Sequence, residues 1–293
     1  MLIPIPVGTE APLTRLPRAT IALIVLNVLV FILSLRPGTS ASLSKEQEIA
    51  RLADWAFTKA GEDQPEVKRL RAEFSTALAL LRAPERWDRV IADQEIRRQL
   101  LGYLTEDREL KRDHPFERFG WVPARPSLPA LLGHMFLHGD LVHLAFNMLF
   151  LWVAGAVLEE AWGSGLFLGA YFAAGVAAAL THAVANAHSS EPAIGASGAV
   201  AGLMGAFLVV HTKTRIRVAL VSAMALAPRT YFMSLPAWVL LGAWFAQQVF
   251  WALLTTKTSV GVAFAAHLGG FAFGCLTGAA MKAAGVMGAS SGT

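Results

Sequence analysis

The sequence predicts an all-α polytopic membrane protein, a bundle of six transmembrane helices with a soluble helical domain inserted after the first. Three observations carry this. Hydrophobic residues make up 55% of the 293 residues and charged residues only 16%, with a mean hydropathy of +0.49, outside the range of soluble domains. The apolar residues gather in six runs, most of them near the ~20 residues that a bilayer-spanning helix needs and the fourth shorter. Most of the Lys, Arg, Asp and Glu instead fall between residues 37 and 127, in nearly balanced numbers, at a density no membrane helix holds.

The first run, Thr20 to Leu35, follows Arg15 and Arg18 and closes at Arg36-Pro37-Gly38. It is long for the apolar core of a signal peptide and lacks a small-x-small cleavage site, so we read it as a retained span. Basic residues before it favour a cytoplasmic N-terminus. Within 37–127, Ser44 with Gln47 and Asp63 with Glu66 resemble capping boxes, and Pro65 and Pro84 suit first helical turns. Gly61 and Gly102 suit helix ends, which predicts helices over 44–60, 65–82 and 84–102. Pro115, Pro123, Pro126 and Pro129 mark the return to the membrane, with Trp121 a candidate for the interfacial aromatic belt.

The second span runs from Leu141 to Leu158, with Asp140 as its N-cap and Glu159 and Glu160 at its far end. The third covers about 166–187, and the polar link 188–196 leads to a fourth starting near Ser197 and meeting His211. The basic segment His211 to Arg217 follows and belongs on the cytoplasmic side. Span five covers about 231–254, with Trp238, Trp244 and Trp251 along it, and span six about 260–281, ending at Lys282. The expected division is 1–36, the inserted domain 37–127, the core 128–283 and a flexible tail 284–293.

The net charge of +4 lies in loops between apolar runs, where membrane orientation accounts for it; no nucleic-acid partner is expected. The lone Cys275 sits in an apolar run, which excludes an intramolecular disulfide and a Cys-rich zinc site; it suits a small core position. No cofactor is expected, and no feature of the sequence sets an oligomeric state.

The intramembrane polar residues share one depth. Fourteen residues separate Ser197 from His211, ~21 Å of helix against a hydrocarbon core of ~30 Å. Counted from their cytoplasmic ends, His267, Asn147 and His143 lie 15, 12 and 16 residues in, or ~18 to 24 Å. Spans two, four and six run the same way, so these four side chains fall in one layer. Polar groups there face a bundle interior or a water-filled cavity, as the non-helical 188–196 link also must.

A serine between glycines is by itself ordinary helix packing, and Gly198, Gly202 and Gly205 fit that role. His267 precedes Gly270 and Gly274, a GxxxG face able to press span six against span four and bring the imidazole to the Ser197 hydroxyl. A Ser–His pair is the minimum set for activating a nucleophile. His143 and Asn147, four apart on one face, both carry donors for a developing oxyanion, as does the Ser197 amide at a helix start; interhelical hydrogen bonding is the plainer role for the two side chains. No Asp or Glu lies in the apolar part of spans four or six, which predicts a dyad. His134, His138 and His143 leave open a metal or haem site, although no Glu stands between His134 and His138 as HExxH proteases require. A transporter would show repeated or paired broken spans, which the sequence lacks.

The segments His138-Gly-Asp-Leu-Val-His143-Leu-Ala-Phe-Asn147, Gly195-Ala-Ser197-Gly198 and Ala266-His267-Leu-Gly269-Gly270, in that order, resemble the rhomboid intramembrane serine proteases over about 123–282. The resemblance implies Ser197 as nucleophile, His267 as general base, and His143 and Asn147 as oxyanion donors. It also implies transmembrane proteins as substrates; six spans with the basic loops inside put both termini in the cytoplasm, and the expected location is the inner (plasma) membrane of a bacterium, with the site opening to its outer face. Three features depart from it. Ala201 stands where some members carry an aromatic that stacks on the histidine, the Trp-Arg motif of the first loop is not evident, and the 37–127 insertion has no counterpart in a six-span core. Relatives of this family that bind transmembrane helices without cutting them are the alternative class, and those typically lack the serine or the histidine.

Overall fold

The computed structural model describes residues 2–35, 94–95, 97–99, 101–102, 105, 114–189, 191–222, 230–254 and 264–286. The chain divides into two compact units, one of Met1–Leu33, Phe119–Leu254 and Val262–Thr293, the other of Ser34–Arg118 with Thr255–Gly261. In the second unit, the expected helices 44–60 and 65–82 lie outside the described residues. The described residues from 94 to 105 are helical, with an exposed Glu95–Arg98 pair at 2.8 Å. Thr105 Oγ1 donates to the Leu101 carbonyl at 2.8 Å.

The first unit is helical apart from one small sheet. Its elements are β1 (Leu2–Thr9), α1 (Arg18–Ser34), α2 (Leu128–Gly133), α3 (Leu141–Phe150), α4 (Ala156–Ala185), α5 (Ser197–Val210), β2 (Arg215–Ser222), β3 (Thr230–Pro236), α6 (Ala237–Leu254) and α7 (Phe264–Ala283). Among the described residues, Leu141–Ala185, α6 and α7 are long and apolar enough to cross a bilayer, while α1 and α5 are shorter apolar helices. Leu141–Ala185 passes through a π turn at Leu151–Gly155 and breaks at Gly163, whose φ of 76° and ψ of 160° suit glycine. The break falls where the sequence separates its second apolar run from its third. Asp140 caps α3 as expected, its Oδ1 accepting from the His143 amide at 2.8 Å.

The sheet was not expected, and it corrects the all-α reading. β2 lies between β1 and β3, antiparallel to both, with Leu2 opposite Ser222 and Arg215 opposite Pro236. Arg215 and Arg217 are exposed while Ile216 and Val218 are buried, a period of two inside a segment whose charge had drawn attention instead. Pro4 and Pro6 are accommodated because β1 is an edge strand, where a missing N–H breaks no central ladder. Pairing of Thr230–Pro236 with β2 also moves the start of the fifth apolar helix from about 231 to Ala237.

The core centres on α5. Every residue from Gly198 to Phe207 is buried, as expected of a helix apolar all round. Glycines set how near its neighbours come. A Cβ on Gly270 would lie 2.1 Å from the Gly198 carbonyl oxygen, and one on Gly274 only 1.8 Å from that of Gly202, so α5 and α7 touch backbone to backbone. Across α5, a Cβ on Gly202 would lie 2.3 Å from that of Ala174 on α4. Gly274→Ala must therefore push α7 off α5, at about 1–3 kcal/mol or more. Its apparent Tm in detergent should fall, whereas Gly242→Ala, with nothing within 4 Å, should leave Tm unchanged or slightly raised. Equal Tm values for the two variants would contradict this account of the packing.

Glu159, expected only to mark a helix end, is 5% exposed and joins α4 to α1. Its carboxylate accepts from the amides of Ala19 at 2.9 Å and Thr20 at 2.8 Å, from Thr20 Oγ1 at 2.8 Å and from Ser164 Oγ at 2.6 Å. Two orphan N–H groups of the first turn of α1 are thereby satisfied by a negative charge at the positive end of the helix dipole.

Candidate functional site

The site forms where α3, the link before α5, and α7 converge. Ser197 opens α5, half-buried, and His267 lies on α7, also half-buried. His267 Nε2 stands 2.8 Å from Ser197 Oγ, hydrogen-bonding distance across 70 residues of sequence. The glycine contacts explain the reach, since an alanine at Gly270 or Gly274 would separate the two helices that carry the pair.

The link preceding Ser197 is irregular backbone, tied to the protein at Ala193 and Gly195. Trp121 and Ala193 exchange amide–carbonyl hydrogen bonds at 2.9 and 2.8 Å, and the Gly195 amide donates to the His134 carbonyl at 2.9 Å. Trp121 is accordingly 4% exposed and pairs with this link. Gly195 has φ of 123°, closed to most side chains, and a Cβ there would sit 2.9 Å from His143 Cε1 and Nε2 and 3.6 Å from Ser197 Oγ. The glycine thus lets the His143 ring and the serine hydroxyl close on the same small space.

Asn147 is 6% exposed and gives one amide N–H to the His143 carbonyl at 2.9 Å, leaving the second of its two N–H groups. The structure therefore brings Ser197, His267 and His143 to one place, with Asn147 one turn further along α3. The other histidines take separate parts. His134 Nδ1 is 3.0 Å from the Ala130 carbonyl, and His138, 1% exposed, meets His143 edge-on with ring centroids 5.1 Å apart. Among the described residues no three His, Cys, Asp or Glu side chains are grouped to hold a metal ion.

One residue of the site went unnoticed in the sequence. Gln248, on α6 and 7% exposed, places Oε1 2.7 Å from His267 Nδ1. The available signal was an amide in an apolar span, but Gln247 beside it offers the same signal, and only the packing selects between them. Trp244, one turn earlier, lies with its ring 5.9 Å from the imidazole. Ala201, where the resemblance suggests an aromatic, is wholly buried within the core.

Apolar helices around a hydroxyl–imidazole pair define an integral membrane protein with the parts of a nucleophilic site. The chain belongs to the rhomboid family: the Rhomboid domain model matches residues 125–284, more than half of its length. It is 44% identical over 85 residues to the rhomboid protease GluP of Bacillus subtilis, covering 29% of this chain and 16% of that protein. Rhomboid protein 1, mitochondrial, of Saccharomyces cerevisiae is 30% identical over 156 residues, 51% of this chain and 40% of the yeast protein. RHOMBOID-like protein 5 of Arabidopsis thaliana is 33% identical over 78 residues, 27% of this chain and 25% of the plant protein. The chain thus spans well under half the length of each of these relatives.

Proposed function

We propose that the chain is an intramembrane serine endopeptidase that cuts transmembrane segments of other membrane proteins through a Ser197–His267 dyad. The observation that carries this is the 2.8 Å contact between His267 Nε2 and Ser197 Oγ at the start of a buried helix. His267 takes the hydroxyl proton as Oγ attacks the scissile carbonyl, and the oxyanion that forms is held by the Ser197 amide, His143 and Asn147. Collapse of that intermediate passes the proton from His267 to the leaving amine and leaves an acyl-enzyme on Ser197. Water then enters as the second nucleophile, activated by the same imidazole.

In this reading the protein has six spans, two of them supplied by Leu141–Ala185 reversing at Gly163. Both termini face the cytoplasm of a bacterial cell, and the site opens to the outer side of its inner membrane. Of the insertion expected over 37–127, residues up to Arg118 form an outer aqueous domain that governs substrate access and contributes no chemistry, while the stretch from Phe119 belongs to the unit that carries the site.

The deciding experiment uses a fluorophosphonate, which needs only an activated serine. Purified full-length protein should be labelled on Ser197, located by mass spectrometry, and Ser197→Ala should not be labelled. Labelling of Ser197→Ala at the wild-type rate would end the proposal. Replacing about residues 42–112 by a flexible linker should leave labelling intact; its loss in a variant of native helicity would mean that the insertion helps to build the site.

A further inference from the structure

Resting on the proteolytic reading above, we propose that Gln248 is a positioning residue that holds His267 in the tautomer and orientation Ser197 requires. Its Oε1 lies 2.7 Å from Nδ1, and the other ring nitrogen lies 2.8 Å from Ser197 Oγ. An oxygen facing Nδ1 is an acceptor, so Nδ1 carries the ring proton and Nε2 presents its lone pair to the serine hydroxyl. The two contacts together fix the ring at both ends.

The helix that carries Gln248 is arranged for this contact. Only Ala237, Leu241 and Gln248 of α6 are buried, while Trp238, Phe250, Trp251, Leu253 and Leu254 point outward. Residues 241, 244, 245 and 248 share one face at helical spacing. Trp244 and Phe245 lie on Phe271 of α7, the latter stacked at 4.4 Å, which places the next turn, and Gln248, over His267. Serine-histidine sites usually orient the ring with a buried carboxylate. A neutral amide gives the same direction to Nδ1–H without placing a charge inside the bilayer, where a charge is costly. It also supplies the orienting contact that a stacked aromatic at Ala201 would otherwise give.

The test compares Gln248→Met, similar in shape without an acceptor, with Gln248→Glu, which keeps one. Removing the hydrogen-bond partner of a metal-bound histidine costs roughly 10- to 100-fold, and a neutral partner of a catalytic histidine is expected to act on the same scale, so Gln248→Met should lose that much in kcat on a transmembrane substrate with KM unchanged. Its fluorophosphonate labelling should slow in parallel, and Gln248→Glu should recover most of the rate. Wild-type kcat in Gln248→Met, or equal impairment of both variants, overturns the proposal. Should Gln248→Met not fold, ¹⁵N-histidine NMR of the wild type, with the signal assigned by its absence from His267→Ala, decides: protonation at Nδ1 supports the proposal and protonation at Nε2 overturns it. Activity in Ser197→Ala would sink the proteolytic reading itself, whereas a silent Ser197→Ala beside an unimpaired Gln248→Met removes only the role of Gln248.

Discussion

In His267→Ala, hydrolysis of a transmembrane substrate is expected to fall on the order of 10⁶-fold, to the level of Ser197→Ala, with the protein still folded. An unactivated serine hydroxyl is a weak nucleophile, and among the described residues the titratable hydrogen-bond partner of Ser197 is the imidazole 2.8 Å away. The two side chains act as one unit, so the double variant Ser197→Ala/His267→Ala should be no worse than either single one. Independent contributions would multiply instead. Steady-state cleavage in detergent, with far-UV circular dichroism as the folding control, measures both quantities. Loss of less than tenfold in His267→Ala would mean that the proton goes elsewhere and that the contact is structural.

The second large effect falls on the oxyanion side. Asn147→Ala and His143→Ala should each lower kcat by about 10²–10³, and both should stay above the Ser197→Ala background. Donors aimed at charge that appears only in the transition state change kcat far more than KM, and a low-dielectric site magnifies them. Asn147 has one N–H committed to the His143 carbonyl, which holds its amide in place while the other hydrogen stays available to the reaction. His143 lies against Gly195, on the same small space that the Ser197 hydroxyl faces. Unchanged kcat in both variants would return these residues to a helix-packing role. A raised KM at constant kcat would place them in substrate binding.

Much of the bundle was legible because its signals are local. A run of apolar residues is expelled from water wherever it occurs, so the apolar helices could be placed from composition alone. Asp140 announces a cap through its own side chain, and Ser197 and His211 bound α5 as the sequence reading placed them. The GxxxG spacing of Gly270 and Gly274 pointed to a close helix contact, since only the absence of a Cβ permits one. Counting residues from the charged ends of the runs gave Ser197, His267, His143 and Asn147 a shared depth, because an α-helix advances by ~1.5 Å per residue; the structure brings the first three together, with Asn147 one turn further along α3.

What the sequence could not carry were relations between segments. Arg215 to Ser222 has strand alternation, but pairing it with Leu2–Thr9, more than two hundred residues earlier, depends on the bundle bringing the two together. Glu159 reads as the polar end of a span until the start of α1 arrives to be capped by it. The exchange of hydrogen bonds between Trp121 and Ala193 satisfies backbone that would otherwise lie unpaired, and nothing in either segment names the other. Gln248 is the sharpest case. Depth along a helix follows from counting, but rotation about the helix axis and the choice of neighbour follow from how side chains pack. The contact of Phe245 with Phe271 turns Gln248, and not Gln247, toward His267.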